Sequence, residues 1–180
     1  MAKQEFAKTI IAQLEQAISK NGNNFNSSTP DKANNAIAQA CTTYLISNTK
    51  IKVQYVGVMP NGNPDKTSDN MLISGTINPP KGTDFNTWWN SLCNNIVTGL
   101  KVTAGPGLVT ATPPCIIWTG LANKPILSNL TGNDIQQKTW EAICNEIINW
   151  LTEMTNNIKT FPAKHETSAG ISTIKSINIS

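Results

Sequence analysis

The 180-residue sequence contains no arginine, a single histidine and few charged side chains of either sign. All 14 cationic side chains are lysines, and 11 carboxylates reduce the net charge to +3. Arginine is the residue best suited to bidentate recognition of phosphates and bases, whereas lysine supplies a point charge. Because the lysines are scattered singly along the sequence, we expect no specific binding of nucleic acid.

Long apolar runs and paired metal-ligand motifs are also missing. A membrane-spanning helix needs roughly 18 or more successive apolar residues, and the apolar runs here are only a few residues long, so no contact with a membrane is predicted. The cysteines at 41, 93, 115 and 144 lie far apart in apolar stretches and form no C-x-x-C pair. They are interpreted as reduced core residues, without a zinc site or a disulfide.

Neutral polar side chains take the place of the missing charge, with 23 Asn and 21 Thr in the sequence. Hydrophobic residues still make up 39% of the chain. A chain of this length is able to bury a core without disulfides or bound metal ions. Surfaces of Asn and Thr hydrogen-bond to a partner without the cost of burying charge. The composition therefore indicates a globular domain that works through contacts.

Apolar periodicity divides the sequence into helices and strands. Spacings of three and four predict helices at about 3–19, 30–46 and 134–158, and one between Thr83 or Asp84 and Gly99 or Gly105. Alternation around a turn cluster predicts a β-hairpin over 51–77, and 115–118 reads as a short buried strand. We predict an α+β fold in which an N-terminal helical hairpin, a β-hairpin and short strands pack with two further helices, followed by an extended C-terminal arm.

The C-terminal residues form the arm of this prediction. Residues 1–162 are assigned to a single α+β domain and residues 163–180 to the arm, which has too few apolar groups for a core of its own. The arm is either a disordered tail or a strand that pairs with its own domain or with a neighbouring subunit. We favour the strand, with Ile174, Ile177 and Ile179 as candidate interface residues.

No catalytic or metal-binding pattern is found among the polar residues. His165 lies between a lysine and a glutamate after the last helix, and it is interpreted as an exposed loop residue rather than a general base. Asp65, Asn61 and Asn63 offer oxygen atoms to calcium, but a twelve-residue loop with a closing glutamate is lacking. We therefore predict no enzymatic activity, no cofactor and no metal site.

The Trp88–Trp89 pair is the other candidate interface. Successive helical residues point about 100° apart, so at most one of the two faces a partner while the other joins the stripe of Leu92 and Ile96. Exposed tryptophan stacks on sugars or anchors a protein interface. Core packing is the favoured role for at least one of them.

Three segments resemble small virion structural proteins of tailed bacteriophages. They are AIAQACTTYLISNTKIKVQYVGV at 36–58, SGTINPPKGTDFNTWWNSL at 74–92 and WEAICNEIINWL at 140–151, which together cover under a third of the chain. The absence of arginine beside many Asn, Ile and Lys is also typical of an AT-rich genome, and many phages have such genomes.

This resemblance implies a non-enzymatic structural subunit of a phage particle, in the capsid, neck or tail. Such a subunit is made in the host cytoplasm, resides in the virion, and contacts other virion proteins and copies of itself. The alternative is a carbohydrate- or cell-surface-binding module that uses Trp88 or Trp89. An enzyme ranks third.

Overall fold

The computed structural model describes residues 1–19, 29–103, 108–110, 120–128, 130–153 and 160–180, with the backbone alone at 29, 69, 103, 108–110, 160 and 161. The predicted α+β class is confirmed. The predicted strand at 115–118 and the end of the last helix at 154–158 lie outside the described residues. The elements, in chain order, are α1 (Ala2–Ser19), α2 (Thr29–Asn48), β1 (Thr49–Val58), β2 (Pro64–Gly75), α3 (Phe85–Gly99), β3 (Leu100–Thr103), β4 (Leu108–Thr110), α4 (Ile135–Glu153), β5 (Thr160–His165) and β6 (Ser168–Ile179).

The N-terminal helices form the predicted hairpin, and α1 packs between α2 and α4. Phe6, Ile10 and Leu14 are the buried stripe of α1, as their spacing predicts. The ring of Phe6 stacks on that of Tyr44 in α2, with centroids 4.3 Å apart and planes nearly parallel. The Tyr44 hydroxyl lies 2.9 Å from the carbonyl oxygen of Ala2 and 3.1 Å from that of Ser180, so both chain ends meet at this helix.

Local capping determines where α3 begins. The Asp84 carboxylate accepts the backbone N–H of Thr87, while the Thr87 hydroxyl oxygen accepts the backbone N–H of Asp84. This reciprocal pair is a capping box, which satisfies two N–H groups that the first turn leaves without a helical partner. Of the boundaries predicted, Asp84 is the cap and Gly99 the last residue.

The six strands form one antiparallel sheet in the order β3-β2-β1-β6-β5-β4. The predicted β1–β2 hairpin is confirmed, with Ile51 opposite Met71. The strand favoured for the C-terminal segment is β6, and it pairs with its own chain. It lies between β1 and β5 at the centre of the sheet, in register with β1 from Thr49 opposite Ile179 to Val58 opposite Ala169.

One face of the sheet, called the inner face, belongs to the core with the helices. Alternate residues of β1, such as Ile51, Val53 and Tyr55, are buried there. A β-bulge at Lys52/Val53 inserts one extra residue into β6, which keeps isoleucines on both sides of the bulge directed inward. The largest fully buried side chains are Trp89, Tyr55, Phe6, Ile10, Leu45, Ile51, Met71, Ile77, Leu92, Ile96 and Leu100.

The apolar stripe of α4 is buried as predicted at Ile143, Ile147 and Leu151, and Trp140 packs half-buried against the core. Ile135, which the periodicity also places on this stripe, is instead 49% exposed because it lies at the first turn of the helix. Within the described ranges, none of the helices is long and apolar enough to cross a bilayer.

Ile147→Ala should lower the free energy of unfolding by about 2–5 kcal/mol, because it leaves a cavity where a fully buried side chain stood. Ile135→Ala, in the same helix but exposed, is the matched control and should cost less than about 0.5 kcal/mol. Urea unfolding followed by circular dichroism measures both. Equal costs would contradict the placement of α4 on the core.

Deleting residues 168–180 should abolish cooperative unfolding, because β1 and β5 both lose their central partner. The control is Asn178→Ala, an exposed substitution within the same strand, which should leave the unfolding curve nearly unchanged. Thermal melts of both proteins test this. A truncated chain that melts within a few degrees of the full chain would show that β6 is dispensable.

Candidate functional site

Four of the five candidate interface residues lie in the chain's own core. Trp89 is fully buried, and its indole N–H donates to the carbonyl oxygen of Ala122 at 3.3 Å. Ile174, Ile177 and Ile179 are buried on the inner face of β6. In the folded chain these side chains are not accessible to a partner.

Trp88 is half-buried and is held by contacts within the chain. Its indole N–H donates to the amide oxygen of Asn34 at 3.0 Å. Its ring stacks on Phe85 and meets the edge of Trp140. These contacts hold the indole N–H and part of the ring within the chain, while the side chain stays partly exposed.

His165 is part of a polar cluster and not the exposed loop residue that the sequence suggested. Its side chain is 21% exposed, and its Nδ1 lies 2.9 Å from Oδ2 of Asp65, which is 7% exposed. The hydroxyl of Ser168 donates to the same carboxylate oxygen. Since that hydroxyl has a single proton, Tyr55 is the donor in its 2.9 Å contact with Ser168.

Two glycines make room for this cluster on the inner face. In the sheet register Asp65 lies opposite Gly57, and Gly57 lies opposite Gly170. A Cβ at Gly57 would collide with the ring and hydroxyl of Tyr55, and one at Gly170 would collide with the backbone of β1. The bare backbone therefore lets Tyr55 lie flat over β1 and reach the cluster, which spans β2, β1, β6 and β5.

The cluster lacks the serine–imidazole hydrogen bond of a nucleophilic serine site. His165 and Ser168 both bind Asp65, and the Ser168 hydroxyl donates a hydrogen bond to the carboxylate rather than to the imidazole. A nucleophilic serine requires a base that takes its proton. The cluster instead ties the first residues of β2 to the β5–β6 turn.

The side chains of Asp65 and Asn61 considered for calcium have hydrogen-bond partners within the chain. The carboxylate is engaged by Ser168 and His165, while Oδ1 of Asn61 accepts the backbone N–H of Asn63 at 3.0 Å. In the part of the chain that the structure describes, no three His, Cys, Asp or Glu side chains are grouped to hold a metal ion.

The three cysteines with a described position are buried and free. Burial raises the pKa of Cys41 to about 12 and that of Cys93 to about 11. The pKa of Cys144 is raised as well, first by burial and then by the neighbouring Cys41. Thiols that stay protonated are poor nucleophiles, so these residues act as core side chains. Cys115 lies outside the described residues.

The Asp65 contacts give stability a defined pH dependence. Hydrogen bonds from Ser168 and then from His165 hold the pKa of the Asp65 carboxyl below its usual value, against the opposing effect of burial. The stabilisation is therefore complete above the unfolded-state pKa of about 4. It is lost as the pH falls through the lower folded-state pKa.

Asp65→Asn should thus lower the free energy of unfolding at pH 7, and its difference from the unaltered chain should shrink as the pH falls below about 4. Glu15→Gln, at an exposed position of α1, is the control and should show little difference at any pH. Urea titrations from pH 2.5 to pH 7 measure both. A pH-independent difference for Asp65→Asn would contradict the assigned contacts.

The remaining candidate is the opposite side of the sheet, here called the outer face. Its side chains alternate with the inner-face residues and are exposed to solvent. The described exposed residues of the outer face are Lys50, Lys52, Val56, Val58, Pro64, Lys66, Ser68, Asn70, Leu72, Ser74, Lys101, Pro162, Lys164, Ala169, Ile171, Lys175, Ser176 and Asn178.

Six of the 14 lysines are gathered on the outer face, although they are scattered in the sequence. No carboxylate is among the exposed outer-face residues whose side chains are described, and none of the six lysines has an ion pair with a described residue. The local sequence signal is Lys52, which the alternation of Ile51, Val53 and Tyr55 places on the polar side of the predicted strand. The face is therefore strongly basic.

The β-bulge shapes a shallow pocket on this face. Lys52 lies opposite Ser176 and Val53 lies opposite Ile174, so Lys175 is the extra residue of the bulge. A bulge re-aims a side chain, and Lys175 here projects from the outer face. The pocket has a volume of about 350 Å³ and is lined by Lys52, Val53, Ser68, Asn70 and Lys175.

An aliphatic patch lies further along the same strands and is formed by Val56, Val58, Pro162, Ala169 and Ile171. Val56 lies directly opposite Ile171, which in turn lies opposite Pro162 on β5. Val56, Val58 and Ile171 are 43%, 57% and 49% exposed. Lys66 on β2 and Lys164 on β5 flank the patch.

Comparison of the chain with protein-family models, with curated protein sequences and with solved structures gave no match.

Proposed function

We propose that this chain is a non-enzymatic structural subunit of a bacteriophage particle, associated with the capsid, neck or tail, that acts through protein–protein contacts. It is made in the host cytoplasm and resides in the virion. The observation that supports this proposal best is the aliphatic patch of Val56, Val58, Pro162, Ala169 and Ile171 within the basic outer face.

The patch is unusual for the solvent side of an antiparallel sheet. Such a face commonly carries polar residues, opposite the apolar face that packs on the core. Here Val56, Val58 and Ile171 are neighbours across two strands and are about half exposed. Contiguous exposed apolar surface rimmed by polar groups marks protein interaction sites, and an apolar centre with a polar rim is the usual build of an interface.

The polar chemistry of the described residues agrees with a contact role. Asp65, His165 and Ser168 are occupied with one another, and the described cysteines are buried with raised pKa values. These groups stabilise the fold rather than face a substrate. The sugar-binding alternative is less well supported, because Trp89 is buried and the indole N–H and part of the ring of Trp88 are held within the chain.

The double substitution Val56→Ser with Ile171→Ser should reduce incorporation into gradient-purified particles at least tenfold, because it removes the aliphatic centre of the surface. Both positions are exposed, so each change should alter the free energy of unfolding by less than about 0.5 kcal/mol. Quantitative mass spectrometry of particles made with each variant measures the copy number. The matched control is Ile126→Ser, which alters an aliphatic side chain that is 78% exposed elsewhere.

Two results would contradict the proposal. One is the absence of the unaltered chain from purified particles, or its presence at a variable copy number that a high-salt wash reduces to zero. The other is equal incorporation of the double variant and the unaltered chain.

A further inference from the structure

We propose that the outer face docks an acidic segment of a different protein, whose carboxylates contact Lys52 and Lys175 and whose aliphatic side chains cover Val56 and Ile171. This inference rests on the proposed function in that both use the same surface, and it adds the chemistry of the partner.

The distribution of charge supports an acidic partner. With six lysines on the outer face, the remaining eight are outnumbered by the eleven carboxylates of the chain. The six lysines of this face, without a described exposed carboxylate among them, exceed the net charge of +3 of the whole chain. Complementary charge steers a partner to such a surface and fixes its orientation.

The pocket beside the bulge suits a carboxylate. Two lysines, Lys52 and Lys175, line it together with Ser68 and Asn70. Ammonium and hydroxyl groups donate hydrogen bonds to a carboxylate, and bonds to an ionised acceptor are the stronger ones. A volume of about 350 Å³ accommodates one or two acidic side chains rather than a folded element.

The spacing along β1 indicates how such a segment lies on the face. Lys52 and Val56 are four residues apart on one side of the strand, which corresponds to roughly 13 Å at the rise of a β-strand. An extended partner segment covers the same distance in four residues. Its acidic side chain and its aliphatic side chain are then expected at positions i and i+4.

Other occupants fit the face less well. A second copy stacked face to face would oppose six lysines with six lysines, and like charges across an interface disfavour association. Single-stranded nucleic acid is bound on aromatic stacking platforms, whereas the exposed outer-face residues whose side chains are described include no aromatic ring. The protein partner is therefore the occupant that the face favours.

The test uses the full chain and two synthetic peptides of equal length and charge. The first, the Glu/Leu peptide, has Glu at position i and Leu at position i+4, and the second, the Glu/Ser peptide, has Ser in place of that Leu. Fluorescence anisotropy of labelled peptides gives the affinities. We expect the Glu/Leu peptide to bind at least tenfold more tightly. The double variant Lys52→Glu with Lys175→Glu should weaken its binding at least tenfold, and Val56→Ser with Ile171→Ser should reduce it to the level of the Glu/Ser peptide.

Lys3→Glu with Lys81→Glu is the charge-matched control, because both lysines are exposed outside the outer face. It should change the affinity less than twofold. Urea unfolding checks that each variant is folded. A thymidine oligonucleotide and vesicles of phosphatidylserine and phosphatidylcholine, at equal charge, are the rival probes.

The inference is overturned if both peptides bind equally, if a rival probe binds more tightly than the Glu/Leu peptide, or if the control variant loses as much affinity as the outer-face variant. Self-association that Lys52→Glu with Lys175→Glu abolishes would also overturn it. If the chain has a constant copy number in particles but binds neither peptide, the acidic partner is ruled out and the phage role is not. If the chain binds the Glu/Leu peptide but is absent from particles, the phage role is ruled out and the acidic partner is not.

Discussion

The pairing of β6 with β1 is the contact on which the other parts of the structure depend. These strands are more than 100 residues apart in the chain, with Thr49 opposite Ile179 and Val58 opposite Ala169. Closing so long a loop costs conformational entropy before any contact repays it. Because β6 lies at the centre of the sheet, its pairing provides β1, β5 and the inner-face side chains with partners at the same time. These contacts offset the entropy cost of closing the loop.

The same pairing produces two surfaces of opposite character. On the inner face, Gly57 and Gly170 come side by side and leave room for Asp65 and His165 to meet above them. On the outer face, alternate residues of the same strands bring lysines and aliphatic side chains together. A shift of one residue in the register would exchange the two sets, so the core and the basic face are determined by a single alignment.

The bulge in β6 lets one extra residue determine which side chains lie on each face of the sheet. Without it, the isoleucines on either side would fall on opposite faces, because side chains alternate along a strand. With it, Ile174 and Ile177 both enter the core, while Lys175 joins Lys52 on the outer face. Bulges commonly re-aim side chains in this way.

Periodicity within one element was enough to predict the four helices, the β1–β2 hairpin and the buried stripe of Phe6, Ile10 and Leu14. The elements of the α+β class were therefore readable from the sequence. The Asp65–His165 contact was not, because its partners are 100 residues apart and neither carries a local signal of the other. An exposed histidine and a turn aspartate were the natural interpretations of their neighbourhoods.

The sequence by itself determined which residues share a face of each helix and of β1, and hence that the described cysteines have apolar neighbours. Only the tertiary structure decided which strands are neighbours, that Ile171 faces outward while Ile174 faces inward, and that six dispersed lysines form one surface. The physical reason is that side-chain direction follows from the local backbone repeat, whereas strand order and register depend on contacts between residues far apart in the chain.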